Sequence, residues 1–387
     1  MPAHMRRAVW LLGLCQCILW GVLYYSFSVL LVPMEASLAL SRTAVAGAFS
    51  VGLLAMAVLA PVVGRWLDRD HAANVTRIGM ALAAIGLGIV ANAHGATTLY
   101  LGWLCMGIAM ACLLYEPAFA LVARAVDDDL HRVRALAAVT VMGGLASTIF
   151  LPVVSALIET LGWRSTALVC AGAVLFAASI MEVWVVPSLP ASSTVKKGVP
   201  SSRSGKWPSH MRTLVVIFAS GTLASMALTT LLIPLLLQRG VAPSVAALVL
   251  AAFGIAQLPG RLWLLRGRDA IPSQVLKSWP IVFQVIGLIV VTITASPWTM
   301  AGGVAVFGVG SGLHTLSRPW LVQRLYGVVE VGRWNGEVAR AQGFARAVGP
   351  LLMVGAATIL SMPVVLVGVA GLLALTAPFA IRLPDRL

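Results

Sequence analysis

Two ionisable residues, each followed by proline, stand inside long apolar stretches, one in each half of a 387-residue chain. The first occurs in Leu114-Tyr115-Glu116-Pro117 and the second in Leu316-Ser317-Arg318-Pro319. They lie 202 residues apart, from 116 to 318, which is about half the chain, and their charges are opposite. An ionisable side chain at membrane depth costs about 2.5–3.5 kcal/mol on insertion scales, so it faces a bundle interior, a cavity or a partner. A carboxylate and a guanidinium at equivalent places in two repeats would face each other across a pseudo-two-fold axis. Such a pair could take up a carboxylate, a proton or both. A structural ion pair joining two halves is the competing use of the same residues. The proline after each removes an intrahelical hydrogen bond and loosens the preceding turn.

Other polar residues share these stretches. Arg346 stands one turn before Pro350, with Gln342 four residues earlier on the same helical face. His314 precedes Arg318 by four and shares its face, either as a hydrogen-bonded packing residue or as a proton relay. Arg318 and Arg346 outnumber Glu116, which favours an anion, and arginine binds a carboxylate through a planar fork of two parallel bonds. Snorkelling to an interface is the other use of Arg346. Gln16, Trp20, Tyr24 and Ser28 recur at spacings of four near the N-terminus. Thr222, Ser225 and Thr229 form a second stripe. Hydroxyl residues also serve helix packing, so either stripe can be a contact surface or a seam.

These residues need helices to hold them. The chain is 60% hydrophobic and 10% charged, with mean hydropathy +0.95. Soluble domains carry about 25% charged residues, so an integral membrane protein is expected. Apolar stretches fall at 8–32, 43–67, 75–93, 97–124, 134–158, 164–187, 211–237, 243–266, 272–294, 297–325, 336–359 and 362–382. Each is long enough to cross about 30 Å of hydrocarbon. The first follows Met5-Arg6-Arg7 but runs on to Val32, too long for a cleaved leader's core of about 7–15 residues. Residues 188–210 are rich in Ser, Pro and Lys and read as a linker between an N-terminal bundle at 1–187 and a C-terminal bundle at 211–387.

The basic residues set an orientation. Arg6, Arg7, Arg65, Arg69, Arg132, Arg134, Lys196, Lys197, Arg203, Lys206, Arg261, Arg266, Arg268, Arg324, Arg333, Arg382 and Arg386 fall at one set of ends, while the other set holds little beyond Arg42, Arg164 and Arg239. The positive-inside rule makes the first set cytoplasmic, with both termini and the linker inside the cell. The net charge of +14 is therefore topology rather than a nucleic-acid face, and no recognition module accompanies it. The five cysteines sit in apolar stretches without metal-ligand spacing, so no metal site is expected. Gly308-Val309-Gly310-Ser311-Gly312 has no strand before it and reads as close helix packing. No Walker-type motif occurs, so neither a nucleotide nor any other cofactor is expected, and the chain is not read as an enzyme.

The halves match beyond the charged pair. Pro33 and Pro234 are read as ending the first and seventh stretches. Pro61-Val-Val-Gly64-Arg65 corresponds to Pro259-Gly260-Arg261, and Pro152 to Pro350. The proline offsets of 201, 198 and 198 stand beside the 202 of the charged pair, as a 6+6 duplication requires.

Gly64-Arg65-Trp66-Leu67-Asp68-Arg69, after the second stretch, resembles the Gly-x-x-x-Asp-Arg/Lys loop of the major facilitator superfamily. The resemblance extends over the whole chain and implies an all-α membrane protein with twelve transmembrane helices in two pseudo-symmetric six-helix bundles. In that family the loop aspartate joins a charge cluster closing the cytoplasmic gate. Asp68 matches it, with Arg124 as the expected partner. The family continues with Gly and two basic residues, where this chain has His71-Ala72-Ala73. Tyr24-Tyr25-Ser26-Phe27-Ser28-Val29, Ser41-Arg42-Thr43 and Gly162-Trp163-Arg164 are similar to segments of the bacterial monocarboxylate and oxalate/formate carriers. Drug exporters carry Arg in the fourth helix where Trp103 stands, and their fifth-helix Gly-Pro signature is not matched by Gly143-Gly144 and Pro152. The first and seventh helices line the cavity in this family, which points to Tyr24 and Ser28 as substrate contacts. The resemblance implies a monomeric secondary carrier of the bacterial inner membrane. It would move a small organic anion by alternating access in the lipid bilayer, with a proton carried through Glu116. The alternative is a multidrug or metabolite exporter, for which fourteen Met and many aromatics would make a permissive surface.

Overall fold

A chain this apolar must satisfy its backbone polar groups within each segment, because hydrocarbon offers no partner for them. The computed structural model describes residues 1–190, 207–266 and 272–384, without the side chains of Arg42, Pro243, Ser244, Ala247, Leu264 and Arg266. Among the described residues every regular element is helical and none is a strand. Most of the interval read as a linker, residues 191–206, lies outside the described residues, as do Arg268 and Arg386.

The helices are α1 (Ala3–Leu38), α2 (Arg42–Asp68), α3 (Ala72–Ala91), α4 (Ala96–Ala125), α5 (Asp129–Ser188), α6 (Met211–Gln238), α7 (Pro243–Arg266), α8 (Trp279–Ile293), α9 (Pro297–Tyr326), α10 (Val331–Ile359) and α11 (Met362–Ile381). A single turn, Ser273–Lys277, precedes α8. Among the described residues α1, α2, α3, α4, α5, α6 and α11 are long and apolar enough to cross a membrane. At 60 residues α5 would measure about 90 Å if straight, some three bilayer cores. Gly162 breaks it with φ +77° and ψ 160°, a left-handed conformation open to glycine, between the stretches read at 134–158 and 164–187. α8 has only 15 residues, about 22 Å, while α9 carries Arg318 and Arg324 and α10 carries Arg333, Glu337, Arg340 and Arg346.

Four local features depart from the sequence reading. Pro33 and Pro234 do not end their helices. α1 runs on to Leu38 and α6 to Gln238, because a membrane helix tolerates one lost backbone bond. Within α1, Gly21–Tyr25 forms a wider π turn. The two charged-proline copies also differ. α4 departs from helical geometry at Leu114 (φ −80°, ψ −151°), whereas α9 passes through Pro319 unbroken.

The described chain falls into two units. The first comprises Met1–Val199 with Val328–Arg340, and the second Pro200–Gly327 with Ala341–Leu387. In the first unit the Ala96–Leu113 part of α4 packs against both α2 and α3, and α1 packs on α5. Trp103, Met106 and Phe119 are fully buried there. In the second unit α9 packs against both α7 and α8, and α11 against α6 and α8, around Phe218 and Phe307. The triplet α2–α3–α4 thus has an internal likeness in α7–α8–α9, as duplication would produce. Gly308, Gly310 and Gly312 stand against the carbonyls of Phe253, Pro280 and Gln257, the close helix packing read from that glycine run. Phe176, Val183, Trp184 and Leu351 are exposed, as suits surfaces that meet lipid.

Candidate functional site

In the second unit a chain of polar groups runs across α9, α10 and α6. Arg318 is buried, and its Nη1 donates to Gln342 Oε1 at 2.6 Å. Gln342 Nε2 donates onward to Thr222 Oγ1 at 3.0 Å. Thr222 in turn donates to the Phe218 carbonyl at 2.9 Å, and His314 Nε2 lies 3.4 Å from that same oxygen. A planar guanidinium fixed at one nitrogen is held in orientation, and its other donors keep their directions. His314 also packs its ring on Phe218 at 4.6 Å between centroids. A β-carbon at Gly221 would stand 2.6 Å from His314 Nε2 and 3.2 Å from Gln284 Oε1, so these groups share one small buried space. Gln284 is fully buried, and neither amide atom has a partner among the described residues. It is the only amide in α8, a signal that the sequence carried and our reading did not use.

Arg346 lies one helical turn beyond Gln342 on α10. It is half-buried and makes no hydrogen bond or ion pair among the described residues. The structure therefore brings Arg318, Gln342 and Thr222 together, with His314 joined through a shared carbonyl and Arg346 one turn away. Ser225 and Thr229 bond only their own helix, to Gly221 and Ser225 carbonyls, as packing residues do.

In the first unit Glu116 is half-buried just after the break at Leu114. Pro117 has no N–H to give the Leu113 carbonyl, its normal partner four residues back. Gln16 fills that vacancy: its Nε2 donates to Leu113 O at 2.7 Å. Beside Glu116, the Tyr115 ring lies 4.8 Å from Trp20, and Trp20 lies 5.2 Å from Tyr24. Tyr24 also meets Tyr25 and Phe49 edge-on. Ser28 does not continue this surface. It is exposed and donates to the Tyr25 carbonyl at 2.7 Å, because the π turn between Trp20 and Ser28 breaks the four-residue stripe.

The expected gate residues sit close together but in a different arrangement. Asp68 ends α2 and accepts from the backbone N–H groups of Gly332 and Arg333 at 2.8 and 2.7 Å. These belong to the first turn of α10, where unpaired N–H groups and the helix dipole favour an anion. Gly64 and Gly332 approach so closely that a β-carbon on either would meet the other's backbone, which brings the carboxylate within reach of those amides. Arg124 does not bond Asp68. Its Nη2 holds Asp70 Oδ1 at 2.6 Å and its Nη1 donates to the Leu67 carbonyl at the end of α2. Asp70 adopts φ +60°, which turns its side chain toward Arg124. The sequence suggested the neighbourhood and missed Asp70 as the partner.

Residues 9–317 match the family described as Major Facilitator Superfamily. No curated protein matches the chain by sequence. Among solved structures, the human organic anion transporter MFSD10 (TETRAN) is similar with a TM-score of 0.74 and 16% identity, over 98% of this chain and 100% of that one. The E. coli fucose:proton symporter FucP gives 0.75 and 14%, over 98% and 99%. The proton:xylose symporter XylE gives 0.75 and 11%, over 98% and 96%. At these identities the likeness is one of fold.

Proposed function

The chain belongs to the major facilitator superfamily, and on that premise we propose that it is a proton-coupled secondary carrier of a small organic anion, monocarboxylate-like. Membership makes it a membrane transporter with the all-helical fold of that family, and not an enzyme. The fold alone does not choose the cargo, since an organic anion transporter and sugar symporters share it. The observation that carries our reading is the pair of guanidiniums in the second unit. Arg318 is buried and aimed by Gln342, and Arg346, one turn on, has no partner among the described residues. Positive charge held inside membrane-length helices is strongly disfavoured, and an anion beside Arg346 relieves it. The Arg318 fork suits a carboxylate.

In this reading Arg318 and Arg346 take the substrate, Gln342 and His314 orient it, and Tyr24 contributes a contact, whereas Ser28, expected beside it, is turned off that surface. Glu116 carries the proton. The chain would cross the bacterial inner membrane twelve times, as bundles at 1–187 and 211–387 joined by a cytoplasmic linker at 188–210. Both termini would be cytoplasmic and the carrier monomeric. Alternating access would break and remake the Asp68 contact with the start of α10, with Arg124 bracing the end of α2. A second reading, a multidrug or metabolite exporter, is favoured by the rings of Trp20, Tyr24, Tyr25, Phe49 and Tyr115, which offer a broad apolar face. Liposome uptake of labelled monocarboxylates and dicarboxylates, set against a cationic dye, separates the two. Dye transport alone, insensitive to Arg318→Lys and Arg346→Gln, would overturn the anion reading.

A further inference from the structure

A cavity of about 460 Å³ opens beside the turn joining α2 and α3, lined by Trp66, Arg69, His71, Asn74, Arg77 and Ile78. Nothing in the transport reading uses it. Arg69 and His71 are exposed, and neither side chain makes a hydrogen bond or ion pair among the described residues. Arg77 is anchored, with its Nε on Glu182 at 2.5 Å and its Nη1 toward Asn74 at 3.4 Å. Glu182 is not among the lining residues and is paired with Arg77, while Asp70 of the same turn is engaged by Arg124. The lining therefore holds two guanidiniums and an imidazole and no carboxylate, with one of the guanidiniums paired from outside it by Glu182. Trp66 and Ile78 are large exposed side chains on the flanks, and tryptophan favours the level where headgroups meet hydrocarbon.

We infer that this cavity binds the headgroup of an anionic phospholipid. The phosphodiester would sit against Arg69 and His71, with Arg77 held behind it by Glu182. The acyl chains would lie along Ile78 and the indole of Trp66. Basic pockets between membrane helices recognise such headgroups by charge, and zwitterionic lipids gain little from them. The volume is also small for a whole lipid and suited to a headgroup. A free phosphate shares the charge but has no use for the apolar flanks.

The test is native mass spectrometry of the full chain in detergent, titrated separately with phosphatidylglycerol, phosphatidylcholine and inorganic phosphate. Unfolding is followed alongside in nanodiscs with and without phosphatidylglycerol. Phosphatidylglycerol should stay bound while phosphatidylcholine washes away. Arg69→Gln should weaken retention about fivefold, and Arg69→Gln with Arg77→Gln about 25-fold, at roughly one fivefold step per basic residue. Arg212→Gln, an exposed arginine of the second unit, should change nothing. Because the Arg69 side chain bonds to nothing in the described residues, its single variant remains interpretable even if the double variant unfolds. Equal retention of phosphatidylcholine, or phosphatidylglycerol retention unchanged by Arg69→Gln, overturns the inference. Stabilisation by inorganic phosphate equal to that by phosphatidylglycerol overturns it in favour of a soluble anion.

Discussion

Gln16 and Pro117 should behave as one thermodynamic unit. Proline at 117 leaves the Leu113 carbonyl without its helical donor, and Gln16 supplies one from α1 at 2.7 Å. Gln16 is fully buried, so truncating it to Met keeps the volume and strands the carbonyl away from water. An interhelical side-chain hydrogen bond in a membrane protein is worth about 0.6 kcal/mol on average and about 1.7 at most. A bare buried carbonyl adds about 1–3 kcal/mol of lost solvation. Gln16→Met also removes the Gln16 Oε1, which has no partner among the described residues, and that gain offsets part of the loss. The expected cost is therefore about 1 kcal/mol, close to the bond itself. Pro117→Ala restores an N–H at position 117; once α4 closes through Leu114, Leu113 recovers a local donor and Gln16 becomes redundant. In that background Gln16→Met should cost little, a coupling of about 0.5–1.5 kcal/mol. Reversible unfolding in bicelles, measured on the four proteins of the double-mutant cycle, reads it directly. A coupling indistinguishable from zero would refute the account of how the break before Glu116 is satisfied.

Asp68→Asn keeps one acceptor oxygen but sets an amide NH2 against the second N–H of α10, so the contact should weaken by about 1–2 kcal/mol. Cysteine accessibility from the linker side should then rise, and unchanged accessibility would remove the gate role. Arg318→Lys retains the charge but loses the bond to Gln342, so anion uptake should fall at least tenfold while the protein still inserts; wild-type uptake in liposomes would exclude Arg318 from the site. Glu116→Gln should abolish uptake driven by a pH gradient and spare exchange of labelled for unlabelled substrate. Parallel loss of both would make Glu116 structural. Asp128 caps α5 by accepting from the His131 N–H at 2.8 Å, and chiefly that bond holds its carboxyl below the usual carboxylate range. The cap's stabilisation is present above the ordinary carboxylate value of about 3.9 and is lost as pH falls through the lower folded value. Thermal scans from pH 6 downward (roughly to pH 3) should show that loss in the wild type and a flatter profile in Asp128→Asn.

What was legible in the sequence followed from local chemistry. Apolar runs marked the helices, and the gap between the stretches at 134–158 and 164–187 falls where Gly162 breaks α5. What escaped depends on groups brought together from far apart. Asp68 finds its amides 264 and 265 residues away, and Gln16 finds its carbonyl 97 residues away. Arg124 could have served either of two carboxylates two positions apart, and the left-handed turn at Asp70 decides between them. Arg318 and Gln342 were each singled out by type, yet only the folded chain shows that they bond, across 24 residues of sequence. The Leu114 break was foreshadowed by Pro117, but the same dipeptide logic failed at Pro319, and the contacts around α9 give no reason for the difference.

The π turn at Gly21–Tyr25 makes α1 one residue longer than an even α-helical ladder would need. Removing one residue from it should let the ladder close without shortening the helix on either side. The flanking segments would keep roughly their present facing, because the wider turn absorbs the surplus residue. Phe27, stacked on Phe49 at 4.3 Å, and Trp20, against Tyr115, would both hold their places, while the side chains within Gly21–Tyr25 would change position. The surplus residue thus widens one turn and adds a side chain among the aromatic rings without turning the helix ends. A deletion there should be well tolerated by folding and poorly tolerated by whatever the aromatic surface recognises.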